Sequence, residues 1–492
     1  MAAALCNDPS HADLLARFEQ MSGQILALTQ QVQALTLREA EREKAHAAET
    51  AALRAKVEDL EARLKKDSSN SSRPPSSDSP YKTRERRTKP SGRKQGGQPG
   101  HEGTARAEFS AERIDDVKDH RPPACCTGCG GTDLEDAGVF RWQVVEIPEI
   151  RPTVTEHRVH TLRCKKCGRE DTGAMPADVA RSNFGPRTHA LAATLTGGFR
   201  LTRREAVRVF DEVFNVDLST GALSDMEGRV AAALEESYRA VQRALREGEA
   251  AHIDETPWKQ RRVLHWLWNA TFGKLAVFRI DRRRDRGASR RLFAGKFHGV
   301  RIVDRLAVHD DVKPDRRQIC WAHLDRDFAA FVDGPAGRRR FGRSGRAIAA
   351  AVFRSWDLFE AGRIDRPKLR EIADRLESRV RLLLTGAAGH AAKRVRRFAA
   401  HLLRQIGSLF VYAAREKVEP SNNTAERSLR GPVLWRKGSY GTQSERGSRF
   451  AERMLTAKHC LRAQGRDLLA FLVEALRAHV HGHPPPSLLP PP

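Results

Sequence analysis

The chain has 492 residues, with 87 Lys and Arg against 62 Asp and Glu, a formal charge of +25. That length has room for roughly two to four folded units, and the positive excess points to a polyanionic partner, nucleic acid above all. No apolar run reaches the ~18 residues of a membrane span and no basic-then-apolar leader is visible, so a cytoplasmic, nucleoid-associated protein is expected. Eight cysteines in a chain this long do not make a disulfide framework; two CxxC pairs among them suit zinc in a reducing compartment.

Residues 12–66 read as a coiled coil. Leu14, Phe18, Met21, Ile25, Leu28, Val32 and Leu35 alternate spacings of four and three, a heptad seam. A polar interval from Arg38 to Thr50 interrupts it, and Leu53, Val57, Leu60 and Leu64 resume in another register, which implies a stutter or a break. Such a helix either associates with a second copy, giving a homodimer or higher oligomer, or folds onto its own chain. Residues 67–106 are Ser-, Pro- and Gly-rich and are expected to be a disordered linker. From Lys82 to Arg106 it carries eight basic and two acidic residues, either a phosphate-tracking arm or a merely soluble tether.

Residues 107–180 read as a zinc ribbon. Cys126-Thr127-Gly128-Cys129 and Cys164-Lys165-Lys166-Cys167 are separated by 34 residues. Glycines beside each pair allow tight turns, and four thiolates make a closed, structural site. The zinc ligands are thus Cys126, Cys129, Cys164 and Cys167, with Cys125 the rival to its neighbour. Phe140 to Ile147 and Val154 to Leu162 alternate as strands. Residues 185–248 are helical, with segments Ala190 to Gly197, Arg203 to Phe214 and Ser219 to Ala233. The turn Asn215 to Ser219 suggests a helix-turn-helix-like domain; an ordinary helical subdomain is the equal alternative.

Residues 249–476 read as the catalytic domain. Ala250 to Ile253 is a short strand ending in Asp254, after which Thr256-Pro257 is expected to break the backbone. Arg262 to Thr271, Leu275 to Ile280 and Val300 to Val303 are further strands, with a helix in Ser289 to Phe297. The last strand ends in Asp304. Aspartates on neighbouring strand ends can share a magnesium ion, which takes oxygen ligands; singly, each could be a loop cap. Glu426 lies in a first helical turn after Pro420 and Ser421, so a helix delivers a third carboxylate. Between Asp304 and Glu426 stand 121 residues, enough for a helical insertion at about 328–410, with helices Ile348 to Gly362, Arg366 to Leu384 and Ala391 to Ile406. Arg338 to Arg343 reads as a basic loop. Residues 477–492 form a Pro-rich tail, taken as disordered.

Two aspartates and a helix-borne glutamate in this order resemble RNase H-like nucleotidyl transferases. Together with Ser68 to Asp78, Gly96 to His101, Cys320-Trp321-Ala322-His323 and Arg436-Lys437-Gly438-Ser439, the chain resembles the DDE transposases of the insertion sequence 66 family, from about Ser68 to Leu476. The resemblance implies a multidomain α/β protein with an RNase H-like core. Its catalytic and magnesium-binding triad would be Asp254, Asp304 and Glu426, holding two Mg2+ (or Mn2+) ions. It implies cleavage and joining of double-stranded DNA at element ends and target, and small accessory transposition proteins. Arg427, Arg430, Arg436 and Lys437 are expected on flanking phosphates, with His323 supporting the site or positioning DNA. Trp435 and Tyr440 are either base-stacking or core residues. A nuclease or resolvase of the same fold, a non-catalytic zinc-ribbon regulator and an inactive copy are the rival readings.

Overall fold

The structure is a computed structural model that describes residues 9–64, 96, 100–103, 106–175, 179 and 182–491. Two units divide the chain: 1–79 with 176–203 and 221–492, and 80–175 with 204–220. Most of the basic linker lies outside the described residues. No helix among those described is long and apolar enough to cross a membrane.

The N-terminal seam forms one helix, α1 (Pro9–Leu64), of 56 residues. The break expected between Arg38 and Thr50 does not occur. Ala, Glu, Lys and Arg fill that interval, and these residues sustain a helix whatever the seam does. The seam side chains, from Leu14 through Ile25 and Val32 to Leu64, are all exposed.

In the smaller unit, β1 (Thr161–Arg163) and β2 (Glu170–Thr172) pair antiparallel around the second CxxC. The two long strands expected between the knuckles are not formed, apart from the end that becomes β1. Phe140, Trp142, Val144, Ile147 and Val154 alternate in sequence but are exposed. Alternation yields a strand only where a partner and a core receive its apolar face. The Gln143 side chain instead ties this stretch to the backbone of Phe109, accepting at 2.8 Å and donating at 3.1 Å.

Four further α-helices among the described residues precede the sheet. α2 (Pro186–Ala193) runs into a π-turn, Thr194–Gly198; α3 (Arg203–Phe214), α4 (Thr220–Ala233) and α5 (Glu235–Glu247) follow. α3 belongs almost wholly to the smaller unit and α4 to the larger. Asn215 ends α3 in the left-handed region (φ 52°), where asparagine is tolerated. Its side chain donates to the Ile150 carbonyl at 3.0 Å.

The central sheet has the order β5-β4-β3-β6-β7. β3 (Ala250–Gln260), β4 (Val263–Phe272) and β5 (Leu275–Asp281) form an antiparallel meander. β6 (Val300–Val303) lies parallel to β3, and β7 (Arg317–Ile319) parallel to β6. β3 does not break at Pro257. β4 pairs with it from His252 to Gln260, but β6 pairs only from Ala250 to His252. Pro257 therefore lies where one side of the strand has no partner, a position that tolerates a missing N–H.

Edge strand β5 is closed by a helix rather than by another strand. Glu452, Thr456 and Cys460 of α13 (Glu445–Ala463) accept from the N–H groups of Ile280, Phe278 and Ala276 at 2.7, 3.1 and 3.5 Å. Four helical residues rise about 6 Å and two strand residues about 6.7 Å, so the two ladders keep step over three rungs. The exposed edge is thereby removed.

α6 (Arg286–Leu292) begins three residues before the expected helix, because Asp285 caps it by accepting from the Ala288 N–H at 2.8 Å. After β7 come α7 (Trp321–Val332), α8 (Ala336–Glu360), α9 (Arg366–Gly386), α10 (Lys393–Arg404) and the short α11 (Val411–Ala414). Phe328, Phe331, Phe341 and Phe398 meet among them at centroid distances of 5.2–6.0 Å. The basic segment Arg338 to Arg343 is the start of α8, not a loop. Gly342 and Gly345 let α8 lie against α7: a Cβ at Gly342 would stand 2.6 Å from the Phe328 carbonyl oxygen.

α12 (Asn423–Ser439) and α14 (Leu468–His481) complete the fold. α14 extends past residue 476, and the Pro-rich tail is docked rather than disordered. Leu488 is buried; Ser237 donates to the Pro486 carbonyl at 2.9 Å and Gln464 to that of Leu488 at 2.8 Å.

Candidate metal and DNA site

Asp254 lies within β3 rather than at its end. The end that matters is that of β6. Ala250 pairs with Val300 and His252 with Ile302, so two residues on, past the last β6 residue, Asp254 and Asp304 share one level of the sheet. Val303 pairs with Ile319, which brings Cys320 to the same level. Adjacent parallel strands place such residues on one face.

The Asp254 carboxylate accepts from the Glu255 N–H at 2.9 Å, and Asp304 from the Leu306 N–H at 2.8 Å. Burial, then the charges of Glu255, Asp304 and Glu426, push the Asp254 carboxyl well above the usual carboxylate range. Among the described residues no Lys or Arg forms an ion pair with Asp254. Glu255 points to the other face, where Arg284 binds it at 2.9 Å through Nε.

Glu426 enters on the first turn of α12. Arg326 Nη2 donates to its Oε1 at 2.7 Å, and His323 Nε2 faces that oxygen at 3.4 Å. Burial and the Arg326 charge lower the His323 pKa to about 4, so the ring is neutral at pH 7. Cys320 is buried, its Sγ accepts from the Asn422 N–H at 3.1 Å, and burial pushes its thiol up to about 11. Through that bond it ties the end of β7 to the start of α12.

Two asparagines hold α12 against the strands. Asn422, fully buried, donates from Nδ2 to the Ile253 carbonyl at 2.8 Å, directly before Asp254. Asn269 pairs with Asp254 across β3 and β4 and donates to Ser428 Oγ of α12. Sequence reasoning missed both, and Arg326 as well. The run Ser421-Asn422-Asn423 at a helix start is the available signal.

Arg427, Arg430 and Lys437 lie on the exposed side of α12, at helical spacings that keep them together. Arg436 turns inward and donates to Thr256 Oγ1 at 3.1 Å and to the Pro257 carbonyl. Trp435 is a core residue, edge-on to Phe450 at 6.2 Å, whereas Tyr440 is exposed.

The two cysteine pairs adopt the same knuckle. The Cys126 N–H donates to Gly131 O and its carbonyl accepts from Gly130 N–H, both 2.8 Å; Cys164 does the same with Arg169 and Gly168. Gly130 (φ 73°) and Gly168 (φ 75°) occupy the left-handed position each turn requires. Backbone N–H groups of Gly128 and Cys129 lower the Cys126 thiol pKa, and those of Cys167 and Lys166 lower that of Cys164. Such thiols fit zinc, which binds thiolates. Cys125 stands outside the knuckle. Among the described residues no three His, Cys, Asp or Glu side chains are gathered into a ready metal cage; the knuckles stand as two separate halves. Asp254, Asp304 and Glu426 likewise fit a divalent cation by donor type and by the uncompensated charge at Asp254.

An α/β domain with three such carboxylates, accompanied by paired-cysteine knuckles, has the make-up of a DDE transposase domain with a zinc finger. The family model described as Transposase IS66 family matches residues 181–450, and the chain belongs to that family. A model for the zinc-finger binding domain of transposase IS66 matches 123–168, and a family of unknown function (DUF6444) matches 12–107. Similar proteins include two uncharacterised proteins of Sinorhizobium fredii (strain NBRC 101917 / NGR234). Protein y4qI is 23% identical over 416 residues, covering 76% of this chain and 74% of its own. Protein y4hP is 25% identical over 419 residues, covering 75% and 74%.

Proposed function

We propose that this chain is an active insertion-sequence transposase that cuts the ends of its element and joins them to target DNA. The observation that carries the reading is the shared level of Asp254 and Asp304, with the charge of Glu426 on α12 acting on Asp254 and, among the described residues, no Lys or Arg ion-paired to Asp254. The sheet order, an antiparallel meander followed by two parallel strands, supports an RNase H-like core.

Asp254, Asp304 and Glu426 would hold two Mg2+ or Mn2+ ions, which when bound activate the attacking oxygen and offset charge on the reacting phosphate. Water first hydrolyses the phosphodiester at the element end, leaving a 3′-hydroxyl. That oxygen then attacks a target phosphodiester, forming a new 3′-O–P bond and releasing the target strand's own 3′-oxygen with the proton. Arg427, Arg430 and Lys437 would contact flanking phosphates from the open side of α12, and neutral His323 with Arg326 would keep Glu426 oriented. Zinc on Cys126, Cys129, Cys164 and Cys167 would close the two knuckles into one ribbon. The seam of α1 would pair with a second copy, holding two DNA ends together, and the helix-turn-helix-like segment 185–248 would act on the end sequence. The division into 12–66, 67–106, 107–180, 185–248, 249–476 and 477–492, work on nucleoid DNA in the cytoplasm and help from accessory proteins belong to the same proposal.

The test supplies purified protein with Mg2+ and a duplex bearing a pre-cut 3′-hydroxyl end. Joined product supports the reading. Hydrolysis without joining would make it a nuclease or resolvase, and binding with no metal-dependent reaction would leave a regulator or an inactive copy.

A further inference from the structure

On the α6 side of the sheet lies a cavity of about 1050 Å3 bordered by β5, α6 and the start of β6. Seven Lys and Arg side chains line it against a single carboxylate, Asp311. Arg290 faces Asp311 at 3.7 Å, and Arg291 is bound to Asp281 at 2.7 Å. Lys296, Arg301, Lys313 and Arg316 have no carboxylate within ion-pair reach among the described residues. Arg301 is largely enclosed, and burial lowers its pKa, with the Asp311 charge opposing that shift and Arg290 adding to it. Unpaired cations crowded into a concave wall repel one another unless an anion is present.

The cavity is not part of the carboxylate site. Arg301 and Asp304 are three residues apart along β6 and its continuation, so alternation sends them to opposite faces. An adjoining cavity of about 870 Å3 shares Lys296 and Arg316 and adds Arg246 and Arg415, but Glu247, Glu249 and Glu416 nearly balance them, so most of the net positive charge lies in the first.

Its lining also limits what it can recognise. The aromatic ring present, Phe297, is buried and stacked on Phe293 at 4.5 Å, leaving no face for a base. No Asn or Gln lines it to pair with an adenine edge, and its Lys and Arg side chains, which bond guanine or phosphate alike, stand in a recess that meets the projecting backbone before any base edge. We infer that this cavity binds the phosphodiester backbone of DNA without regard to sequence, as a second contact remote from the carboxylates and suited to target or flanking DNA. The assignment to target or flank rests on the transposase reading; the phosphate contact does not.

The test uses the full chain and two unrelated short duplexes without element ends, with affinity measured from about 50 to 200 mM salt. Replacing Lys296, Lys313 and Arg316 together by Gln should lower the slope of log affinity against log salt by about 2.7, at about 0.9 per phosphate contact, equally on both duplexes. With Arg316→Gln kept, Arg in place of Gln at positions 296 and 313 should restore about two thirds of that loss. Thermal melting confirms that each variant folds; if the triple change does not, Lys313→Gln alone should lower the slope by about 0.9. An unchanged slope, or a change on only one duplex, overturns the inference. So does inorganic pyrophosphate binding that the variant loses while duplex binding stays the same, since the site would then serve a free phosphate ligand. End cleavage by the unaltered chain is measured in parallel: its absence sinks the transposase reading and leaves the slope comparison standing.

Discussion

Arg326 and Glu426 form a 2.7 Å ion pair, from α7 to α12, beside the two aspartates. A cation of the chain's own thus occupies one oxygen of the glutamate proposed as a metal ligand. An incoming Mn2+ meets that positive charge as well as the carboxylates. Arg326→Gln should therefore tighten Mn2+ binding by about 1 kcal/mol, roughly fivefold, as read by calorimetry. Weaker binding would show that Arg326 holds Glu426 in place more than it competes.

Asp254→Asn, Asp304→Asn and Glu426→Gln should each lower metal-dependent cleavage and joining by at least about 100-fold. DNA binding should persist, since it rests on many Lys and Arg contacts. Glu255→Gln is the control: its side chain is on the other face with Arg284, and chemistry should survive. A dead Glu255→Gln beside an active Asp254→Asn would shift the site by one residue.

Cys164→Ser or Cys167→Ser should remove bound zinc and loosen residues 124–169, because closed thiolate sites contribute folding energy directly. Metal analysis and limited proteolysis measure this. One zinc per chain remaining in both variants would exclude these ligands.

Ile25→Lys with Val32→Lys places two charges in a seam that is exposed within one chain. If a second copy covers the seam, the charges are buried at a cost, and light scattering should show a smaller assembly. An unchanged mass would mean that α1 is not the contact.

His309 is buried edge-on to Trp268, and burial with the charges of Arg301, Arg317 and Arg284 lowers its pKa to about 3. The unfolded chain, with a histidine pKa near 6.5, takes up that proton first as pH falls. His309 therefore contributes stability above pH ~6.5 that is lost toward pH ~3, at up to about 1.4 kcal/mol per pH unit. Melting from pH 7 to 4 should fall less steeply in His309→Gln than in the parent. Equal slopes would mean that the folded chain protonates His309 too.

Much of this was legible in local pattern. The CxxC pairs with their glycines announced two knuckles, and the helices at 203–214 and 366–384 stand nearly where their periodicity put them. Expectations failed where a partner decides. Phe140 to Ile147 alternates but has no strand beside it, Pro257 stays inside β3 because β6 stops short, and the Pro-rich tail docks through Leu488.

By itself the sequence determined the chemistry on offer: thiols at knuckle spacing, a carboxylate opening a helix, a heptad seam and a large positive charge. These rest on neighbouring residues, whose geometry the local backbone sets. Only the tertiary structure decided that Asp254 and Asp304 share a level, that Arg326 takes Glu426, that Arg436 faces inward and that unpaired cations gather on the opposite face. Strand register and helix docking join residues tens to hundreds of positions apart, and those distances are set by packing of the whole sheet and its helices.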